Sequence, residues 1–264
     1  MKTVVITGST KGIGLGLAKA FLARDCSVVV SGRQQADVDA VVEALEEYFP
    51  ARKIFGQACD VRNFRQVQDL WDASKAHFGQ VDIWINNAGQ AQMIEQFWAL
   101  PEDLIESVVE TNVLGLMYGA KVAVTGMLEQ GGGAVYVMEG KGSQGDVQGG
   151  MSLYSATKRA GNYLFHALVK ELEGSPVLVG SISPGMVVTD LLSMQKNADV
   201  ETWERTKKIF NILADKVETV TPWIADRILD NQGHGMQIRW LNRGKVLWRF
   251  LSASWNKRDL FGED

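Results

Sequence analysis

The stretch that decides the fold lies near the start of the chain, at residues 4–14, and has the sequence V-V-I-T-G-S-T-K-G-I-G. Residues 4–6 form an apolar run of the kind that makes a buried parallel strand. Gly8, Gly12 and Gly14 then permit a sharp turn and let phosphates approach the backbone. The helix expected next directs its free N–H groups at such a ligand. The stretch therefore predicts a dinucleotide site, although glycine-rich strand–helix turns also occur without a ligand.

The composition is that of an ordinary globular protein. The chain has 264 residues, of which 46% are hydrophobic and 22% are charged, and this suits one α/β domain. A net charge of −4 gives no electrostatic case for a nucleic-acid partner. Cys26 and Cys59 are expected to be buried free thiols. No apolar run is long enough to span a membrane, and the first strand starts too near Met1 for a targeting peptide, so we expect a cytoplasmic protein without a metal site.

Helical and strand patterns alternate along most of the chain. Helical spacing is expected over residues 13–24, 36–48, 64–78 and 101–129, and strands over 27–31, 53–58, 81–85, 134–138, 177–182 and 235–241. This alternation predicts right-handed βαβ units and a parallel sheet. We assign residues 1–241 to one domain, with a substrate lid at about 191–217, and residues 242–264 to a tail.

Two cations favour NADP over NAD as the dinucleotide. Arg33 follows the second strand, where NAD sites usually place an acidic residue against the ribose, and Lys11 lies in the glycine turn. Both can pair with a 2′-phosphate, Arg33 through two parallel hydrogen bonds. The alternative is that both are solvated surface charges. Asp60 and Val61 end the third strand, where an adenine amino group could be bound.

Tyr154 and Lys158 are four residues apart and share one helix face. A neighbouring ammonium is expected to lower the pKa of a phenol from its ordinary value of about 10. Such a tyrosine can give a proton to a carbonyl oxygen while a cofactor delivers hydride to its carbon. This spacing alone is more often an ordinary helix face, so the assignment depends on the neighbouring motifs.

Four motifs together resemble the short-chain dehydrogenase/reductase family. They are the glycine turn, N-N-A-G at residues 86–89, Y-S-A-T-K at 154–158 and S-P-G at 183–185. The resemblance implies a single Rossmann-type doubly wound domain, with a seven-stranded parallel sheet and helices on both faces. It also implies an oxidoreductase that forms a homodimer or homotetramer through its two long helices, with NADP(H) as the cofactor that Arg33 and Lys11 favour.

The resemblance also implies roles for individual residues. Asn112 would hold a helix irregularity and a water that feeds a proton relay, with Tyr154 as the acid and Lys158 against the nicotinamide ribose. Val187 would line the nicotinamide, and Thr189 would lie near its carboxamide or the pyrophosphate. The residues expected to bind the cofactor are Gly8, Ser9, Thr10, Lys11, Gly12, Ile13, Gly14, Arg33, Asp60, Val61, Asn87, Ala88, Gly89, Tyr154, Lys158, Pro184, Gly185, Val187 and Thr189.

One segment departs from the family pattern. Glu139 and Gly140 stand where a pair of serines is usual, and Ser143, eleven residues before Tyr154, is the nearest hydroxyl. We predict that Ser143 stabilises the developing oxyanion, because a carboxylate only accepts hydrogen bonds. A protonated Glu139 is the alternative donor, or Glu139 binds a polar group of the substrate.

Several stretches resemble one branch of the family, the chlorophyll(ide) b reductases. They include residues 82–89, 111–117, 183–192 and 210–214. The branch implies reduction of a formyl group on a tetrapyrrole, and the apolar lid offers Met194 and Phe210 as substrate contacts, unless these only pack the lid. The missing transit peptide suggests a bacterial relative. The alternatives are a general reductase or alcohol dehydrogenase for another lipophilic substrate, and a non-enzymatic NADPH-binding regulator.

The tail is both basic and aromatic. It places Trp248, Phe250, Leu251 and Trp255 among Arg243, Lys245, Arg249, Lys257 and Arg258. That pattern is typical of a segment that lies on a membrane surface or a partner. We favour the alternative of a helix docked on its own or a neighbouring subunit.

Overall fold

A seven-stranded parallel sheet forms the centre of the molecule, with strand order β3-β2-β1-β4-β5-β6-β9. The computed structural model describes residues 1–92, 94–189, 200–253, 255 and 258–260, and for residues 200–206 it describes the backbone alone. The sheet contains β1 (Thr3–Ile6), β2 (Ser27–Gly32), β3 (Ile54–Ala58), β4 (Ile83–Asn86), β5 (Gly133–Met138), β6 (Val177–Ser183) and β9 (Met236–Arg239). The strands β7 (Val187–Val188) and β8 (Asp215–Lys216) pair separately. The predicted Rossmann-type architecture is confirmed.

Helices cover both faces of the sheet. They are α1 (Gly12–Leu22), α2 (Gln35–Glu46), α3 (Phe64–Phe78), α4 (Glu102–Val109), α5 (Gly115–Gln130), α6 (Ser152–Glu171), α7 (Val200–Leu213), α8 (Val217–Leu229) and α9 (Arg243–Ser252). Successive strand residues point to opposite faces, so Val4 and Val5 enter different cores. The core on the Val4 side is completed by α1, α2 and α8, and the core on the Val5 side by α3, α5 and α6.

The helix predicted over residues 101–129 is interrupted by a π-helical turn. Residues Glu110–Leu114 form this turn between α4 and α5, and they include Asn112. A π turn adds a residue to the helix locally and is frequent at functional sites. The irregularity implied at Asn112 is therefore present.

The carboxyl ends of the strands meet at one edge of the sheet, because all seven strands run in the same direction. In register, Ile6 pairs with Ile85, Asn86 with Val137, and Met138 with Ile182. The segments that leave these strands are the ones that carry the predicted motifs, and parallel α/β sheets bind ligands at this edge. Cys26 and Cys59 are buried and unbridged, as predicted.

Candidate active site

The glycine turn after β1 packs directly against the segment that follows β4. Gly8 has φ +64°, and a Cβ there would lie 2.9 Å from the Ala88 Cα. A Cβ on Gly14 would lie 2.4 Å from the Gly8 carbonyl oxygen and 2.6 Å from Asn87 Nδ2, which belongs to the segment after β4. Any other residue at either position would therefore push the two segments apart.

Asn87 locks these two segments together. Its Nδ2 donates to the Thr7 and Gly8 carbonyl oxygens, both at 2.9 Å. In return, Thr7 Oγ1 accepts from the backbone N–H groups of Asn87 and Ala88, both at 3.1 Å. Thr7 was absent from the predicted set, since a threonine at a strand end carries no distinctive pattern.

The start of α1 has the features of an anion site. Lys11 is its N-cap residue and provides no side-chain cap, and the first turn, with Gly12 and Ile13, contains no acidic residue. The N–H groups of that turn thus remain suited to a phosphate. Gly12 has φ +56°, and a Cβ there would lie 3.5 Å from the Thr189 methyl group, so Thr189 borders the turn. The glycines, the helix end and Thr189 fit a dinucleotide.

Ser9 and Thr10 shape the turn from inside. Ser9 is buried, and its Oγ donates to the Ile6 carbonyl oxygen at 2.8 Å and accepts from the Ser31 N–H at 2.9 Å. Thr10 lies against Gly32, where a Cβ would meet its methyl group at 2.6 Å. Both predicted cofactor residues therefore join the turn to the end of β2, next to Arg33.

Arg33 is exposed beside Asp60. The carboxylate of Asp60 accepts from Arg62 Nε at 3.0 Å and Nη2 at 2.6 Å. These bonds lower the pKa of Asp60, and the charge of Arg33 adds to the effect. Val61 is buried against Gly115. Arg62 is a cation at the expected adenine end that the sequence analysis missed.

Tyr154 and Lys158 project from the first turns of α6 toward the end of β5. A Cβ on Gly140 would lie 2.4 Å from Tyr154 Oη and 3.3 Å from Lys158 Cε. Lys158 Nζ donates to the Met138 carbonyl oxygen at 3.2 Å and lies 5.7 Å from the centroid of the Tyr154 ring. The glycine in place of a serine thus lets the Tyr154 hydroxyl approach the backbone.

Burial controls the pKa values of both residues. It raises the pKa of Tyr154 to about 12, which is opposite to the lowering predicted from the nearby ammonium. Burial also lowers the pKa of Lys158 to about 8, against the charge of Glu139, which raises it. Tyr154 therefore holds its proton at neutral pH, as a proton donor must.

Asn112 connects the π turn to both the β4 loop and α6, the proposed catalytic helix. Its Oδ1 accepts from the Gln90 N–H at 2.7 Å, and its Nδ2 donates to the Gln90 carbonyl oxygen at 2.8 Å. The same Nδ2 donates to Thr157 Oγ1 at 3.0 Å. A Cβ on Gly89 would lie 3.4 Å from Asn112 Oδ1 and 3.6 Å from Lys158 Nζ. The N-N-A-G, Asn112 and Tyr–Lys motifs thus meet at one point.

Gln92 holds the start of the catalytic helix. It is buried, and its Oε1 accepts from the Tyr154 N–H at 2.7 Å while its Nε2 donates to the Gly150 carbonyl oxygen at 2.8 Å. Met151, the N-cap residue of α6, provides no side-chain cap. Gln92 takes that role from 62 residues away. Sequence analysis missed it because caps are normally sought next to the helix.

Ser143 and Glu139 are both buried, and both are held by neighbouring groups. Ser143 Oγ accepts from the Gly140 N–H at 3.0 Å and lies 3.3 Å from the Lys158 carbonyl oxygen, to which it donates. The Glu139 carboxylate accepts from Asn162 Nδ2 and Gln144 Nε2, each at 3.0 Å. The oxyanion role of Ser143 stays a prediction, since its hydroxyl bridges backbone groups in this structure.

The segment after β6 borders the same edge of the sheet. Pro184 and Val187 are buried, and Gly185, with φ +74°, packs on Leu241, where a Cβ would lie 2.8 Å from the Leu241 Cβ. Phe210 is buried on α7. The predicted substrate contact Met194 lies outside the described residues, together with residues 191–199 of the predicted lid. No group of three or more His, Cys, Asp or Glu residues in the described part could hold a metal ion.

The fold and the site define an oxidoreductase of the Rossmann type. Residues 2–220 match the family described as short chain dehydrogenase, and the chain belongs to that family. The sequence-based resemblance to this family is confirmed.

Individual relatives are similar over much of the chain. Chlorophyll(ide) b reductase NOL of Arabidopsis thaliana, a chloroplastic protein, is 38% identical over 85% of this chain, which spans 64% of that protein. A 3alpha-hydroxysteroid dehydrogenase of Mediterraneibacter gnavus is 32% identical and covers 76% of this chain and 79% of its own. An actinorhodin polyketide ketoreductase solved with NADPH is 25% identical, with a TM-score of 0.79, and covers 90% of this chain and 95% of its own. Within the described residues, no helix is long and apolar enough to cross a membrane.

Proposed function

We propose that this oxidoreductase uses NADPH to reduce a carbonyl group on a bulky apolar substrate, with the formyl group of chlorophyll(ide) b as the leading candidate. The observation that carries the proposal is Tyr154, which is half-buried, keeps its proton at neutral pH because desolvation raises its pKa to about 12, and lies next to Gly140 and Lys158. NADPH supplies the hydride when it is bound. The similarity to the plant reductase supports the tetrapyrrole as substrate, although this chain spans only 64% of that relative.

Residues of the chain donate the proton, stabilise the charge that develops on the carbonyl oxygen and position the reacting groups. Tyr154 Oη gives its proton to the carbonyl oxygen as negative charge develops there. Lys158 keeps a positive charge close to that oxygen, and Asn112 positions Gln90, Thr157 and, through them, the catalytic helix. Ser143 is the proposed second donor to the oxygen. Proton and hydride together convert a formyl group into a hydroxymethyl group.

The choice of NADPH over NADH rests on Arg33 and Lys11. Arg33 is exposed at the carboxyl end of β2, and its charge acts on Asp60, the residue that Arg62 binds. The two cations Arg33 and Lys11 at the expected ribose would suit a 2′-phosphate. The ketoreductase that shares this fold was solved with NADPH.

An apolar rim on two loops that are joined near the start of α6 supports a large substrate. Phe97, Trp98 and Val147 are exposed, with Trp98 82% accessible and Val147 95% accessible. The two loops that carry them are joined, since the Glu95 N–H donates to the Gly150 carbonyl oxygen at 3.1 Å. Gln92 links the Gly150 loop to the Tyr154 backbone, so this rim lies at the start of the catalytic helix. A flat macrocycle has the area to cover such side chains.

A second candidate is reduction of a different lipophilic carbonyl compound, such as a steroid ketone. The similarity to the 3alpha-hydroxysteroid dehydrogenase favours it, since this chain covers most of that enzyme. A homodimer or homotetramer built on α5 and α6 and a cytoplasmic location both remain predictions. Tyr163 on α6 is 77% exposed, which supports a contact between copies there.

The purified protein with NADPH should be given chlorophyllide b, a steroid ketone and small aldehydes in parallel. We expect kcat/KM to be highest for chlorophyllide b, with a hydroxymethyl product identified by mass. Tyr154→Phe is the matched control for background reduction. Preference for the steroid would select the second candidate, and preference for the small aldehydes would reject a bulky substrate.

A further inference from the structure

The C-terminal helix α9 turns its apolar face outward. Leu247, Trp248, Phe250 and Leu251 are between 50% and 64% exposed. These residues recur at spacings of three and four, so they form one continuous stripe along the helix. Trp255, just beyond the end of α9, is 72% exposed and extends the apolar surface. A helix that docked only on its own chain would bury this stripe.

The polar side of α9 faces the protein instead. Arg249 Nη2 lies 2.8 Å from the carboxylate of buried Asp215, and Arg258 Nη2 lies 2.9 Å from the same group. Lys245 Nζ lies 3.1 Å from the centroid of the Trp240 ring. Salt bridges therefore attach the helix to β8, and this fixes the orientation in which the apolar stripe is exposed.

The same region concentrates positive charge. Residues 242–258 contain five Lys and Arg residues and no Asp or Glu, within a chain of net charge −4. A cleft of about 910 Å³ separates α9 from α7, and Lys208, Lys245, Arg249 and Arg258 line it with Asp215 as the acidic group. Burial lowers the pKa of Lys245, and the charges of Arg249 and Arg258 lower it further. Asp215 offsets part of the charge of Arg249 and Arg258, so the excess of positive charge in the cleft depends mainly on Lys208 and Lys245, close to the apolar stripe.

We propose that α9 lies on an anionic phospholipid surface, with its apolar stripe at the acyl boundary and the cationic cleft against lipid phosphate groups. An apolar face with Trp, Phe and Leu beside Lys and Arg is the composition of helices that bind in the plane of a membrane interface. Trp248 belongs to both features, since it is exposed on the stripe and lines the cleft. The inference does not depend on which carbonyl compound is reduced.

Co-sedimentation with vesicles tests the proposal. The full chain should sediment with vesicles of phosphatidylcholine and phosphatidylglycerol, but not with phosphatidylcholine alone. Trp248→Glu combined with Leu251→Glu should abolish binding, whereas Tyr48→Glu, which changes a 77% exposed aromatic residue at the end of α2, should not. Lys208→Ala should weaken binding roughly fivefold, the effect of one cation at an anionic surface.

Two results would overturn the proposal. Equal binding to both kinds of vesicle would show that the cations do not contribute to binding. Failure of the unmodified protein to bind anionic vesicles would reject the membrane surface altogether. If the double variant then had a lower molar mass by light scattering, the stripe would be a contact between two copies of the chain. Thermal unfolding of each variant shows whether the fold is retained.

Discussion

Gly140 lies so close to Tyr154 that a single methyl group at position 140 would fall 2.4 Å from the Tyr154 hydroxyl oxygen. The same Cβ would lie 3.3 Å from Lys158 Cε. The absence of a side chain at Gly140 therefore defines where the proposed acid is held. This contact accounts for a glycine at a position where a serine is usual in the family that the sequence resembles.

Gly140→Ala should lower turnover by about 10²-fold, because an acid displaced by about 1 Å loses that much in rate. The affinity for NADPH should change little. Gly149→Ala is the matched control, since nothing lies within 4 Å of a Cβ there. Steady-state kinetics on both variants measure the effect, and normal turnover in Gly140→Ala would show that the hydroxyl position is not critical.

The pH dependence should report Lys158 rather than Tyr154. The pKa of Lys158 is about 8 and that of Tyr154 is about 12, so the ammonium is lost first as the pH rises. Reduction should therefore be fastest below pH 8 and fall as the pH passes through that value. Glu139 raises the pKa of Lys158, so Glu139→Gln should move this fall to lower pH. If the rate of Glu139→Gln falls at the same pH as that of the unmodified protein, Glu139 does not act on the pKa of Lys158.

Ser143→Ala should reduce turnover by about 10²–10³-fold at saturating NADPH, the typical effect of losing one oxyanion donor. Glu139→Gln is the comparison, because it preserves shape while it removes the charge. Near-normal turnover in Ser143→Ala together with a severe loss in Glu139→Gln would show that Ser143 is not the oxyanion donor. That result would favour a protonated Glu139 in this role. Equal melting temperatures would exclude misfolding as the cause.

Arg33→Ala should weaken NADPH binding roughly 10- to 100-fold, because it removes a charge-assisted contact worth about 1.5–3 kcal/mol. NADH binding should be almost unchanged. Arg52→Ala is a matched control, since Arg52 is also exposed but precedes β3, at the opposite edge of the sheet. Fluorescence titrations give both affinities. Equal affinities for the two cofactors in the unmodified protein would contradict the prediction.

Gln92→Met should destabilise the protein by about 1–3 kcal/mol, because the Tyr154 N–H would lose its acceptor in a buried place and the Gly150 carbonyl oxygen would keep only the Glu95 N–H. Turnover should also fall, since the start of the catalytic helix is released. Gln68→Met removes an exposed bond to Asp72 and should cost less than about 0.5 kcal/mol. Denaturant unfolding compares the two variants, and similar losses would argue against a special role for Gln92.

Motifs with short sequence spacing were predicted correctly. The glycine turn, the strand–helix alternation and the Tyr154–Lys158 pair depend on backbone preferences and helix periodicity within a few residues. The bounds of α3, Phe64–Phe78, were predicted without error, because Asn63 caps its start and Gly79 ends it. Local signals of this kind need no knowledge of the rest of the chain.

The sequence by itself determined the class of fold and the family, and it predicted the proton donor, because each depends on residues that are neighbours along the chain or on one helix. Only the tertiary structure decided the pKa values of those residues and the contacts that position them. Burial, which is a property of the packed sheet, raised the pKa of Tyr154 where a pairwise argument with Lys158 predicted the reverse. Gln92 accepts a hydrogen bond from the Tyr154 N–H although the two residues are 62 positions apart in the sequence. Asp215 on β8 fixes the orientation of α9 through its salt bridge with Arg249. Contacts between distant segments leave no local pattern, since their energy comes from packing that exists only once the chain has folded.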